Sequence, residues 1–327
     1  MPLGTPVDAE RMRQRLRRYV FGSSELPDGM PVVERGVEDA DFTSSLPNLA
    51  RIDRLTVPMP PGFTSGAYHV VPRRANDRLL IYHSGHREDV VDDKRTIAYF
   101  LERGFALLVF AMPFNGFNTN PETVETSCGR VRLEGGPASN YHDALACLPF
   151  PLRYFVEPVA VGLNHTRRLG YELTAMTGLS GGGWTTMLSA ALDPRIQRSY
   201  PVAGSVPHYI TARSCPGNRP ASVARCFGDL EQRIPGLYRI ASHLELYTLG
   251  GWGRNRKQLA IYNVDDRCCF AGTSYREWMP RVQATVRRLG SGAYAAIGDT
   301  THRDHLISRF ALGVIEEDLR SVDRSAK

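Results

Sequence analysis

Apolar and polar positions along this chain change period several times. Over 8–20 the apolar residues Met12, Leu16 and Val20 recur every four positions, which predicts a short amphipathic helix. A turn-rich stretch, GSSELPDGMP, follows, and 51–72 predicts two strands around the turn PMPPGF. From there strands and helices alternate. RLLIYHS predicts a strand and 92–103 a helix; FALLVFAM is apolar throughout, as a strand covered on both faces of a parallel sheet must be. A polar loop spans 115–140, and 141–169 is largely helical with breaks near Pro149 and Pro151. YELTAMTG predicts a strand, 181–192 a helix and RSYPVAG another strand. The rhythm stops over 205–257, a stretch of Pro, Gly and aromatics. It resumes with QLAIYNV as a strand, 274–289 as a helix, AYAAIGD as a strand and 309–322 as a helix.

Such alternation implies the α/β class, with a mainly parallel, doubly wound sheet covered by helices on both faces. The expected organisation is an N-terminal helix and extended segment, 1–50, packed on one core domain, 51–327. Residues 205–257 then form a cap-like insertion ahead of the strand QLAIYNV.

Composition narrows the classes. The 327 residues are 42% hydrophobic and 23% charged, as in soluble globular proteins. No run of about 18 apolar residues is present, which excludes a transmembrane helix. The first 22 residues carry basic side chains but no apolar core of a secretory signal. A cytoplasmic protein is therefore expected, with export behind a removed signal as the alternative. The net charge of +6 carries little information about partners. Lysine occurs only at 94, 257 and 327, the remainder is arginine, and no basic run interleaves with aromatics. No nucleic-acid partner is expected, and oligomeric state is not readable.

Six cysteines, 128, 147, 215, 226, 268 and 269, form no CxxC pair, and reduced thiols are the default in a cytoplasm. Cys215 and Cys226 flank a loop-like stretch that an exported protein would bridge. The adjacent Cys268 and Cys269 are read as packing residues rather than as a vicinal disulfide.

The densest glycine cluster is MTGLSGGGWTT, which sets Ser180 between Gly178 and Gly181-Gly182-Gly183. A Walker loop would need a lysine after the glycines, and G-x-G-x-x-G is not matched. A G-x-S-x-G between a predicted strand and a predicted helix fits a nucleophile elbow, where flanking glycines clear a strained turn. The amide of Gly181 then points at a developing oxyanion. A tight packing turn is the plain alternative.

A serine needs a base, and the base an orienting acid. QLAIYNV ends at Asp265-Asp266, where a parallel strand faces its ligand crevice. AYAAIGD is followed by TTHRDHLIS, which offers His302 and His305. Asp266 is favoured over Asp265 because it lies farther from the strand and precedes the apolar CCF. His305 is favoured over His302 because it precedes the Ser308 cap of the last helix and is flanked by Leu306 and Ile307. A second oxyanion donor is expected in the loop His83-Ser84-Gly85-His86, from the His86 amide or else Gly85. A metal site on His83 and His86 is not favoured, since no carboxylate pattern lies nearby in sequence.

Together, HxGH at 83–86, GLSGG at 178–182, DD at 265–266 and DH at 304–305 resemble the α/β-hydrolase superfamily, in its bacterial serine esterase and lipase-like members. The resemblance spans roughly 50–322. It implies Ser180 as nucleophile, His305 as general base and then acid, Asp266 as orienting acid, and no cofactor or metal. The HGGG loop of lipases and carboxylesterases is absent here. A small-molecule carboxylic ester is the expected substrate, with peptide, lactone, thioester or acyl-transfer chemistry, or a non-catalytic binding role, as alternatives. The insertion holds eight Arg/Lys against three acids, which would favour anionic acyl or sugar-acid substrates; a solvated arginine surface is the competing reading. Phe114, Trp184, Tyr209, Tyr247 and Trp252 are candidate pocket aromatics, against the usual role of such residues in a core.

Overall fold

A computed structural model describes residues 3–39, 42, 46–86, 90–133, 141–214 and 228–325. In chain order the elements are α1 (Pro6–Phe21), β1 (Val32–Arg35), β2 (Leu49–Met59), β3 (Phe63–Pro72), β4 (Arg78–His83), α2 (Val90–Glu102) and β5 (Ala106–Phe110). A small hairpin follows, β6 (Thr123–Thr126) and β7 (Gly129–Arg132), then a 3-10 segment at Tyr141–Cys147 and α3 (Arg153–Thr166). Next come β8 (Leu173–Leu179), α4 (Gly181–Leu192) and β9 (Arg198–Val202). The insertion contributes α5 (His208–Ser214), α6 (Leu230–Arg233), α7 (Pro235–Ile240) and α8 (His243–Gly251). The chain closes with β10 (Lys257–Asn263), α9 (Tyr275–Arg288), β11 (Ala293–Asp299) and α10 (Arg309–Ser325).

Nine strands form one sheet in the order β1-β2-β3-β5-β4-β8-β9-β10-β11. Strands β5 to β11 along that order pair in parallel, while β1, β2 and β3 add an antiparallel edge. Every residue of β5 is buried, as its unbroken apolar run requires. One face of the sheet packs on Phe100 and Leu101 of α2 and on Ala311, Leu312, Ile315 and Leu319 of α10. Phe155 of α3, Trp184 of α4, Leu246 of α8 and Val282 of α9 pack on the opposite side. The doubly wound expectation therefore holds.

Helix α1 starts where Thr5 and Asp8 form a reciprocal capping box and ends at Gly22, whose φ of 78° needs no β-carbon. Its inner face sends two arginines into the protein: Arg13 Nε donates to Ala191 O at 3.0 Å and Arg17 Nη2 to Leu192 O at 2.8 Å. Arg256 adds a bond to Leu249 O at 2.9 Å and another to Ala190 O. Burial pulls the Arg256 guanidinium down to about 9, against the small upward pull of Asp193. Three cations thus meet the carbonyl end of α4, where the helix dipole favours positive charge.

Two expectations fail. The 115–140 loop contains the β6–β7 hairpin, whose four-residue strands are too short and too exposed to print an alternation. Cys268 and Cys269 form a vicinal disulfide instead of packing as free thiols, and Cys128 pairs with Cys147 across a Cα separation of 5.6 Å. No free cysteine remains among the described residues; Cys215 and Cys226 lie outside them. No helix among those residues is long and apolar enough to cross a membrane.

Candidate active site

Ser180 stands between the end of β8 and the start of α4 with φ 57° and ψ −121°, a conformation that L-residues rarely adopt. Such strain costs on the order of 1–3 kcal/mol and persists only where the surroundings impose it. They do so here through Ser180 N donating to Val202 O at 3.0 Å and Trp184 N to Ser180 O at 2.9 Å. Close backbone approach explains the flanking glycines. A β-carbon on Gly182 would lie 2.0 Å from His83 O, and one on Gly178 would lie 2.5 Å from Gly182 O. Neither neighbour is a flexible side-chain tip. Gly182→Ala is therefore expected to lower stability by about 3 kcal/mol or more, seen as a Tm drop of roughly 5 °C in calorimetry; an unchanged Tm would contradict the packing described.

Asp266 and His305 come together. The His305 Nδ1 lies 2.6 Å from Asp266 Oδ2, and the other carboxylate oxygen accepts the Cys268 amide at 2.7 Å. Asn263 Nδ2 reaches Asp266 Oδ2 at 3.5 Å and Leu306 O at 2.9 Å, so it ties the acid loop to the histidine loop. With Nδ1 facing a carboxylate, the proton sits there and Nε2 carries the lone pair. That Nε2 has no hydrogen-bond partner among the described residues. The competing members of each pair lie apart from this contact. Asp265 is exposed, and His302 faces Asp299 Oδ2 at 3.3 Å. Asp299 in turn accepts from Ser308, whose Oγ caps α10 by accepting from Ala311 N at 3.0 Å.

Ser180 and His305 line one cavity of about 260 Å3, together with Gly85, His86, Arg95, Leu179, Leu306, Ile307, Asp229 and the Cys268–Cys269 pair. An adjoining cavity of about 370 Å3 shares Ser180, His86, Asp229 and both cysteines and extends to Val206, Ile210 and Phe270. Gly85 touches the elbow: a β-carbon there would sit 3.0 Å from Leu179 O. Asn115, buried, holds the neighbouring His86 carbonyl at 3.2 Å. His83 is a packing residue. Its Nδ1–H donates to Ser84 O at 2.9 Å, and burial depresses its pKa to about 4.

None of the five candidate aromatics lines either cavity. Trp184 and Tyr247 are buried in the core, where Trp184 Nε1 donates to Tyr238 OH at 2.9 Å. Trp252 stacks under the Arg13 guanidinium, 4.8 Å from its ring centroid. Phe114 borders a separate small cleft with Phe63 and Tyr154, and Tyr209 is exposed. Large apolar rings are drawn to the core by the area they bury. The described basic residues of the insertion also point elsewhere. Arg213 pairs with Glu277, Arg233 with Asp143 and Lys257 with Asp318. The insertion presents Asp229 to the cavity instead and buries Glu231, which sequence counting missed. Glu231 is fully buried, with its oxygens 3.0 Å from His86 Nε2 and 3.5 Å from His142 Nδ1, and Asp229 Oδ2 lies 3.1 Å from His86 Nε2. Burial would raise the Glu231 pKa; the facing imidazoles of His86 and His142 outweigh it and hold the carboxyl well below its usual range.

Solved structures share this arrangement of elements. An acetyl xylan esterase from Paenibacillus sp. R4 superposes with a TM-score of 0.58 over 98% of this chain and 96% of its own, at 13% identity. The chain has the α/β-hydrolase fold. A second α/β-hydrolase, acetyl xylan esterase 1 from Thermoanaerobacterium sp. JW/SL YS485, gives 0.57 over 97% and 94% at 14% identity. Methylesterase BT1017 gives 0.57 over 95% of this chain and 62% of its own, at 13% identity. No family model matches the sequence. Among curated proteins, malpibaldin synthetase from Mortierella alpina is 26% identical over 139 residues, 42% of this chain. This chain spans 2% of that synthetase's length.

Proposed function

We propose that this α/β-hydrolase fold cleaves a carboxylic ester through a covalent acyl-enzyme. The observation that carries the reading is the 2.6 Å contact between Asp266 and His305, made in the cavity that also holds the strained Ser180. In this reading His305 Nε2 takes the Ser180 proton as the hydroxyl attacks the acyl carbon, then returns it to the leaving alcohol. The Asp266 carboxylate fixes the imidazole tautomer and stabilises the imidazolium. The amides of Gly181 and His86 receive the oxyanion, with Gly85 allowing the His86 loop to lie against the elbow. Water then releases the acid by the same proton relay in reverse.

Ser180 borders cavities of about 260 Å3 and 370 Å3, which together reach the usual range for small-molecule ligands. Two of the structural neighbours are named acetyl xylan esterases, which makes an acetyl ester the first substrate class to assay. Asp229 and Arg95 both line the cavity of about 260 Å3, so its walls carry one charge of each sign and do not by themselves select an uncharged or an anionic ester. The partial likeness to a synthetase supports acyl transfer as a second reading. It is separated from hydrolysis by assaying products with and without an amine acceptor. The two disulfides suit an oxidising compartment better than the cytoplasm.

A fluorophosphonate probe tests the reading. Wild-type protein is expected to label stoichiometrically and Ser180→Ala to remain unlabelled. Folded wild type that takes up no probe would exclude a nucleophilic serine and favour a binding role.

A further inference from the structure

We infer that His86, His142, Asp229 and Glu231 form a binding site for one divalent cation of the zinc class, set beside the catalytic cavity. The four side chains come from three separate parts of the chain: the loop after β4, the 3-10 segment at Tyr141–Cys147, and the start of α6 in the insertion. One ligating atom from each lies within 4.8 Å of the other three. Around a zinc ion with bonds of 2.0–2.2 Å, ligand atoms at the corners of a tetrahedron stand about 3.4 Å apart. Three contacts in the cluster are of that order: His86 Nε2 to Glu231 Oε1 at 3.0 Å, His86 Nε2 to Asp229 Oδ2 at 3.1 Å, and His142 Nδ1 to the second Glu231 oxygen at 3.5 Å.

A backbone contact behind His142 points the same way. His142 Nε2 lies 3.1 Å from Pro113 O. A carbonyl only accepts, so Nε2 carries the proton and donates. Nδ1, 3.5 Å from Glu231, is then the ring nitrogen open to a cation; without one, a proton on Nδ1 makes the same contact an imidazolium–carboxylate pair. A backbone carbonyl that fixes the tautomer of a ligating imidazole is the usual support of a histidine metal ligand. Glu231 supplies the independent observation. Its side chain is fully buried, and neither carboxylate oxygen accepts a hydrogen bond of adequate geometry. Two imidazoles and two carboxylates match a borderline divalent ion and leave the cluster electrically neutral once it is bound. The consequence is mechanical. The ion would pin the insertion to the His86 loop, the loop assigned the second oxyanion amide, so its role is to position that backbone.

Metal uptake is measured on the full chain, without reference to catalysis. Chelator-stripped protein is expected to bind one equivalent of Zn2+ in calorimetry and to melt at a higher temperature when loaded. Asp229→Asn and Glu231→Gln should each weaken binding at least tenfold, whereas Ser180→Ala should not change it. Asp229 is partly exposed, so its variant remains informative if Glu231→Gln fails to fold. Cobalt loading should give a four-coordinate d–d spectrum without a thiolate charge-transfer band. No uptake by folded wild type would overturn the site and leave the cluster an ion-pair network. So would uptake indifferent to the Asp229→Asn variant. A thiolate band would also overturn it, since it would move the ion to His305 and a reduced Cys268–Cys269 pair, the other group of suitable donors among the described residues.

Discussion

Replacing Ser180 by alanine is expected to reduce turnover of p-nitrophenyl acetate by about 10⁴-fold or more while leaving the thermal midpoint unchanged. The hydroxyl is the group that would form the covalent bond, and no other side chain at the elbow can replace it. His305→Ala should cost a similar factor, because a neutral serine without a base is a poor nucleophile. The double variant should be little worse than either single one, since the residues act as a unit. Full additivity in the logarithm of kcat would show that they act independently, and would remove the proposed proton relay. The comparison separates a catalytic from a structural role: Ser180 makes its visible backbone bonds through N and O, which alanine retains.

Asp266→Asn should lower kcat by about 10⁴-fold, with a far smaller change in KM. The amide keeps the shape of the loop, but its nitrogen can face His305 and force the wrong tautomer. Asp265→Asn and His302→Ala should leave kcat within about threefold of wild type, because neither residue touches this pair. If Asp265→Asn were instead the damaging change, the 2.6 Å contact between Asp266 and His305 would not be the one used in solution.

The same two choices measure how far sequence reasoning reached. A strand ending in two aspartates, and a loop with two histidines, were readable because hydrophobic runs locate strand ends. Which member of each pair turns inward depends on the loop path. At Asp266 that path is fixed by the Cys268 amide and Asn263; at His302 the carboxylate of Asp299 claims the ring. The aromatic candidates misled because a large ring near a glycine-rich turn looks the same in sequence whether it lines a cavity or fills the core. Trp184 lies four residues past Ser180 yet points into the core.

Net charge is equally silent on where its members point. The insertion counts as basic, but pairing with Glu277, Asp143 and Asp318 disposes of Arg213, Arg233 and Lys257. Asp229 and Glu231 face inward and meet His86, 143 and 145 residues earlier, at 3.1 and 3.0 Å. No spacing rule brings such distant residues together.

The chain by itself determined the alternation of strands and helices, the doubly wound sheet and the elbow at Ser180. Each of these is written in local periodicity and in glycines that a tight backbone crossing demands. Only the tertiary structure decided that Asp266 and His305 pair, that Cys268 bonds to Cys269, and that His86, His142, Asp229 and Glu231 converge. Those contacts depend on how loops at the ends of different strands are brought together, and side-chain order along the chain carries no record of that distance.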